Sequence, residues 1–91
     1  MIEHVRVRVV VTGRVQGVFF RDSCREQARA NSVAGWVRNR GDGAVEAEFE
    51  GGRDAVDRMV AWCHDGPPRA RVATVDVTEV TTLRERAFRI R

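Results

Sequence analysis

The sequence predicts an α+β fold, in which an antiparallel sheet carries two helices on one of its faces. Several segments alternate between apolar and polar residues, which is typical of half-buried strands. Two other segments place apolar residues at helical spacing. The two kinds of segment follow one another in the order strand, helix, strand, strand, helix, strand, and a short terminal strand completes the chain.

The amino-terminal part of the chain predicts a strand followed by a helix. Valines occupy every second position between His4 and Thr12, so they share one face of the strand. Helical spacing begins at Asp22 and continues to about Asn31, a residue type that suits a left-handed helix end. The alternating residues are Val5, Val7, Val9 and Val11, and the helical stripe contains Phe20, Cys24, Ala28 and Asn31.

A β-hairpin is predicted next. A short strand from Ala34 to Asn39 leads into the Arg-Gly-Asp-Gly sequence of residues 40–43, which is typical of a tight turn. Alternation resumes from Ala44 to Glu50. The residues predicted to point inward there are Val45, Ala47 and Phe49.

The second half of the chain predicts a helix and two strands. The helix extends from Arg53 to His64 and ends before the Gly-Pro-Pro sequence of residues 66–68. A strand from Arg71 to Val80 follows, and a short strand from Ala87 to Ile90 is the last element. The inward residues are Val56, Met59, Val60 and Cys63 of the helix, with Phe88 and Ile90 of the last strand.

This order is the split βαβ arrangement of ferredoxin-like domains, in which the helices cover one face of the sheet. We expect the other face to meet water. Arginines of the first strand would there face glutamates of the hairpin as a solvated ionic surface, where each pair stabilises the fold by up to about 1 kcal/mol. The residues concerned are Arg6, Arg8, Glu46, Glu48 and Glu50.

Length and composition predict one domain, 1–91, with a modest core. The share of apolar residues is 43%, and no stretch approaches the roughly 18 apolar residues of a membrane helix. The first four residues lack the basic and apolar segments of a signal peptide. We therefore expect a cytoplasmic monomer without membrane contact. Cys24 and Cys63 are expected to be free, buried thiols, and no metal site is expected.

The basic residues raise the question of a nucleic-acid partner. All 16 are arginines, the formal charge is +3 and the sequence pI is about 10.0. RNA-recognition domains share this element order, but they stack bases on aromatic side chains of the two central strands. Here those strands would expose arginine and glutamate, while Phe49 points inward. No nucleic-acid partner is expected, and an RNA-binding module is kept as an alternative.

The loop between the first strand and the first helix predicts an anion-binding site. Residues 13–21 read Gly-Arg-Val-Gln-Gly-Val-Phe-Phe-Arg. A glycine-bearing turn and a helix start both present backbone N–H donors, and Arg21 adds a two-pronged cation. Arg21 is unfavourably placed for the helix itself, because the helix dipole favours negative groups at this end. Its position therefore favours an anionic ligand, with a phosphoryl group as the natural candidate.

Two motifs in the chain resemble those of the acylphosphatase family. The loop Gly13-x-Val15-Gln16-Gly17-Val18-x-Phe20-Arg21 is similar to the first motif of that family. The segment Gly35-Trp36-Val37-Arg38-Asn39-x-x-x-Gly43-x-Val45, with Gly51 further on, is similar to the second. The resemblance covers essentially the whole chain. It implies hydrolysis of a small acyl phosphate to a carboxylate and inorganic phosphate, without a metal or other cofactor.

The resemblance also implies roles for individual residues. Arg21 would bind the phosphoryl oxygens, and Asn39 would orient the attacking water. Backbone N–H groups from Val15 to Phe20 would surround the remaining oxygens. The phosphate-binding residues are then Val15, Gln16, Gly17, Val18, Phe19, Phe20 and Arg21. A non-catalytic anion-sensing domain is a further alternative, against which Asn39 favours hydrolysis.

Overall fold

The computed structural model describes residues 3–91, which form a five-stranded sheet and two helices. The elements are β1 (His4–Arg14), α1 (Phe20–Ala30), β2 (Ala34–Asn39), β3 (Val45–Gly52), α2 (Arg53–Asp65), β4 (Arg71–Val80) and β5 (Phe88–Ile90). The sheet order is β4-β1-β3-β2-β5. The predicted succession of elements is confirmed. No helix within the described residues has the length and apolar composition to cross a membrane.

Three of the four strand pairings are antiparallel, and β5 departs from the prediction because it runs parallel to β2. The cause is the route of the chain between the two edges of the sheet. Residues 81–87 leave β4 at one edge and return to β2 at the other, so β5 runs opposite to β4. Strand β2 already has that direction, and the sheet is therefore mixed.

The predicted inward face forms the core. The alternating valines of β1 lie against the buried residues of both helices. Alternation places apolar side chains on one face of the strand, helical spacing places them on one face of each helix, and these faces meet in the core. Asn31 does not take the left-handed conformation predicted for it, since its φ is −98°. Ser32 takes that role with a φ of 56°. Core residues include Val5, Val7, Val9, Val11, Phe20, Cys24, Ala28, Val45, Ala47, Phe49, Val56, Met59, Cys63 and Phe88.

The expectation of a solvated ionic face is wrong for its centre. Arg6 is 0% exposed and Glu50 is 1% exposed, and Glu46 and Glu48 are also buried. The guanidinium of Arg6 donates to Glu48 over 2.6 Å, to Glu50 over 2.8 Å and to Glu85 over 2.9 Å. The cross-strand pairing of opposite charges was predicted correctly. What the sequence did not reveal is the cover above it.

That cover is the segment of residues 81–87, held down through Glu50. The carboxylate of Glu50 accepts hydrogen bonds from the backbone N–H of Leu83 over 3.1 Å and of Arg84 over 2.9 Å. Glu85 of the same segment completes the shell around Arg6. Because each buried charge has partners, the cost of its desolvation is offset. Outside this covered centre, the face is exposed to solvent, as the exposed side chain of Arg8 shows.

Candidate active site

The side chain of Gln16 fixes the loop after β1 onto the turn of the β2–β3 hairpin. Its Nε2 donates to the carbonyl of Arg40 over 2.7 Å and to that of Ala44 over 3.0 Å. The turn itself is closed by the N–H of Arg40, which donates to the Ala44 carbonyl over 2.8 Å. As a result, the end of β2, where Asn39 lies, sits beside the loop that precedes α1.

The loop backbone leaves its donors free. Gly17 has a φ of 74° and Phe19 a φ of 65°, both in the left-handed region. Phe19 adopts this conformation although it is not glycine, and its side chain is 65% exposed. Within the described part of the chain, the N–H groups of residues 16–19 donate no hydrogen bond to another protein group. Together with the start of α1 at Phe20, they form a row of unused donors.

A cavity of about 280 Å³ lies between this loop and the end of β2. It brings Arg21 and Asn39 together from elements that are far apart in the sequence. Arg21 is exposed and forms no ion pair with a carboxylate of residues 3–91. The residues that line the cavity are Val15, Gly17, Phe19, Phe20, Arg21, Asp22 and Asn39.

The side chain of Asn39 has an unused acceptor. Its Oδ1 atom is buried and has no hydrogen-bond partner among the described residues. A buried polar atom without a partner costs about 1–3 kcal/mol, and proteins satisfy nearly all of them. An acceptor of this kind beside a cationic cavity fits a role toward a bound molecule.

Two of the predicted phosphate-binding residues, Gln16 and Val18, do not line the cavity. The side chain of Gln16 is directed to the hairpin, and Val18 is 2% exposed within the core. Each is therefore available to an anion through its backbone alone. The sequence does not show which loop residues line the cavity, because Gln16 and Val18 belong to the same motif as the residues that do. The structure makes this distinction.

Asp22 lines the cavity and was not predicted there. Its position directly after Arg21, in the first turn of α1, is the signal that points to it. The carboxylate is 64% exposed and lies 3.6 Å from the guanidinium of Arg25, the pairing that helical spacing predicts. A negative charge at the rim of an otherwise cationic cavity weakens the attraction for a bound anion.

Other reactive groups lie outside this cavity. Cys24 and Cys63 are free and buried, as predicted. Burial raises the pKa of the Cys63 thiol to about 12, and burial, with Cys63 as a second cause, raises that of Cys24. Neither thiol is therefore a nucleophile at neutral pH. Within residues 3–91, no three His, Cys, Asp or Glu side chains are grouped so that they would hold a metal ion.

Comparison with known proteins shows the family of this chain. The family model described as Acylphosphatase matches residues 7–90. An acylphosphatase of Rubrobacter xylanophilus is 66% identical over 74 residues, which cover 81% of this chain and 67% of that protein. An acylphosphatase of Roseiflexus is 55% identical over 91 residues, which cover 99% of this chain and 98% of that protein.

A solved structure supports the same assignment at the level of the fold. The acylphosphatase from Coxiella burnetii superimposes with a TM-score of 0.93 at 39% sequence identity. The match covers 97% of this chain and 93% of the solved one. The chain therefore belongs to the acylphosphatase family, the enzymes that hydrolyse acyl phosphates.

Proposed function

We propose that Arg21, the backbone N–H groups of residues 15–20 and Asn39 carry out the hydrolysis of the carboxyl–phosphate bond in this chain. The observation that carries the proposal is the position of Asn39. Asn39 lines the same cavity as Arg21 and the loop, and its buried Oδ1 has no hydrogen-bond partner among the described residues. One wall of the cavity therefore binds an anion, and the other offers an acceptor.

The phosphoryl group is bound by the cationic wall. The guanidinium of Arg21 presents paired N–H donors to two oxygens, as arginine does with phosphate. The unused N–H groups of residues 16–19 and the start of α1 bind the remaining oxygens. Charge spreads over these oxygens in the loose transition state, so fixed donors here lower the barrier.

Asn39 positions the attacking water. A water molecule that donates one hydrogen to Oδ1 has its lone pair free to approach phosphorus on the side opposite to the leaving carboxylate. The amide takes no proton, because asparagine is not a base at neutral pH. The proton passes from the water to a phosphoryl oxygen of the substrate.

The leaving group needs no acid. A carboxylate whose parent acid has a pKa of about 4 departs as an anion at neutral pH. This is consistent with a site whose side chains include no histidine. The proposal therefore includes no metal and no general acid, and orientation and electrostatic stabilisation supply the rate.

The experiment is hydrolysis of benzoyl phosphate, followed by its ultraviolet absorbance, with and without excess EDTA. We expect equal turnover in both conditions and release of benzoate and inorganic phosphate in equal amounts. Loss of turnover in EDTA that returns on addition of a divalent cation would refute the metal-free mechanism. Phosphate binding without any turnover would instead identify the chain as an anion sensor.

We further propose that the chain acts as one cytoplasmic domain over residues 1–91, as a monomer that binds neither RNA nor a membrane. The outer face of the central strands β1 and β3 supports the proposal that the chain does not bind RNA. Phe49 points to the core, so it offers no stacking surface there, and the centre of that face is a closed ion-pair network. Analytical ultracentrifugation and an RNA titration at physiological salt test these points. A dimer in the first, or saturable binding in the second, would contradict them.

A further inference from the structure

A second cavity, of about 340 Å³, lies at the end of β1 and is lined by arginines. Three of its five lining residues carry a positive charge, and none carries a negative one. The lining residues are Arg14, Pro68, Arg69, Ala70 and Arg71. None of them lines the cavity that holds Arg21 and Asn39.

The backbone holds two of these arginines side by side. Arg14 and Arg71 are direct cross-strand partners of β1 and β4. The strands approach each other closely here. A Cβ atom on Gly13, which has a φ of 118°, would lie only 2.2 Å from the carbonyl oxygen of Arg71. Like charges directly opposite each other on neighbouring strands repel and destabilise the sheet. A bound anion would remove this repulsion.

The third arginine is presented by a tight turn. The N–H of Ala70 donates to the carbonyl of Pro67 over 2.9 Å, which closes a four-residue turn around Pro68 and Arg69. Proline limits the conformational freedom of this turn. The backbone of Arg69 is therefore fixed beside the β1–β4 pair before any ligand binds.

None of the three arginines has an acidic partner in the part of the chain that the structure describes. Seven other arginines of the described residues form ion pairs within 4 Å. Those seven are Arg6, Arg8, Arg25, Arg38, Arg40, Arg53 and Arg89. A group of three unpaired arginines around one cavity leaves its charge available to an outside ligand.

We propose that Arg14, Arg69 and Arg71 form a second oxyanion-binding site, separate from the catalytic cavity, for a dianionic group of the phosphate class. Guanidinium groups bind such oxygens through paired N–H donors. The dianion is either a free ion or the far end of a substrate whose acyl group carries a second anionic group. The second source is included because Arg14 directly precedes Val15 in the sequence, and Val15 lines the catalytic cavity.

The binding test does not depend on the proposed function. Uniformly ¹⁵N-labelled protein is titrated with inorganic phosphate at low ionic strength, and backbone amide shifts are followed by NMR. We expect two separate groups of responding amides, one in residues 15–21 and one in residues 69–72. Arg21→Ala should remove the first response and leave the second.

Charge-removing variants then identify the second site. Arg69→Gln and Arg71→Gln should each weaken the second response by about three- to tenfold and leave the first unchanged. Arg29→Gln, which removes an exposed arginine from the last turn of α1, is the matched control and should change neither response. An absent second response, or one that all three variants weaken equally, would overturn the proposal.

A kinetic test distinguishes the two sources of the dianion, and this arm rests on the proposed function. Acetyl phosphate has no second anionic group, whereas 3-phosphonopropionyl phosphate carries a distal phosphonate dianion. If the site binds the far end of a substrate, Arg71→Gln lowers kcat/KM about three- to tenfold for 3-phosphonopropionyl phosphate only. If it binds a free ion, both substrates are unaffected and the NMR response remains. If the wild type hydrolyses neither compound, the proposed function fails while the NMR result still decides on the second site.

Discussion

The side-chain amide of Gln16 donates a hydrogen bond to the backbone carbonyl of Arg40 over 2.7 Å, and this contact joins the two motifs of the sequence. A second bond from the same nitrogen reaches the carbonyl of Ala44 over 3.0 Å. The loop that binds the anion and the strand that ends in Asn39 are thus held in one geometry. Displacement of either by about 1 Å is enough to lower turnover strongly.

Gln16→Glu keeps the size of this side chain and replaces its donor with an acceptor. Since an ionised carboxylate cannot donate to carbonyl oxygens, both bonds are lost. We expect the free energy of unfolding to fall by about 1–2 kcal/mol in urea denaturation, and kcat/KM for benzoyl phosphate to fall about tenfold. Gln27→Glu, on the exposed face of α1, is the control. Equal behaviour of the two variants would refute the role of Gln16.

Gly35 is required by the close approach of β2 to β3. A Cβ atom at this position would lie 1.9 Å from the carbonyl oxygen of Glu48, and the φ of 130° strains any other residue. Gly35→Ala should therefore lower the free energy of unfolding by about 3 kcal/mol or more. Gly41→Ala, where a Cβ atom meets nothing within 4 Å, should change it by less than about 0.5 kcal/mol. Comparable urea midpoints for the two variants would contradict this account.

The buried network around Glu50 predicts an acid-sensitive fold. Burial raises the pKa of the Glu50 carboxyl, but the hydrogen bonds that it accepts outweigh burial and lower the pKa from 4.5 to about 2. The donors are the Leu83 backbone N–H, the His4 and Arg6 side chains, and the Arg84 backbone N–H. Because the folded pKa is the lower one, the ionised form stabilises the fold. This contribution of about 3 kcal/mol is complete above pH 4.5 and is lost as the pH falls to about 2.

Glu50→Gln removes that titration. We expect the variant to be less stable than the wild type at pH 7, because the Arg6 guanidinium loses its charged partner. Its loss of stability between pH 4.5 and 2 should also be smaller. Thermal unfolding across this range measures both effects. Glu26→Gln, an exposed change on α1, should keep the wild-type profile, and a Glu50→Gln profile parallel to the wild type would contradict the assignment.

Asn39→Ala separates water orientation from anion binding. If Asn39 acts on the water alone, kcat for benzoyl phosphate should fall about 100-fold while the Kd for inorganic phosphate changes less than about twofold. Phosphate binding is measured by titration of the labelled protein, and hydrolysis by absorbance. A large rise in the Kd for phosphate would show that Asn39 contacts the anion directly.

Local patterns predicted most of the fold, and non-local contacts account for what they missed. Strand β2 and strand β4 have the predicted bounds, because both alternate and because turn residues follow β2 and precede β4. Residues 81–87 have no periodicity, so their cover over Arg6 and the direction of β5 were not predictable. The buried state of Glu50 follows from that cover, not from its own strand.

The same distinction applies to the site. The loop and Arg21 are contiguous in the sequence, so local chemistry alone predicts an anion site there. The proximity of Asn39 depends on the Gln16 contact with the hairpin, which periodicity does not reveal. Asp22 was not predicted at the cavity, because its place at the rim depends on where α1 begins.

The most direct test of the central claim is the pair of effects of Arg21→Ala on phosphate binding and on benzoyl phosphate hydrolysis. Arg29→Ala, in the last turn of α1, is the control for a lost surface arginine. We expect Arg21→Ala to fold normally, to bind inorganic phosphate at least about tenfold more weakly at residues 15–20, and to lose about 1,000-fold or more in kcat/KM. A folded Arg21→Ala variant with wild-type phosphate affinity and turnover would contradict this claim.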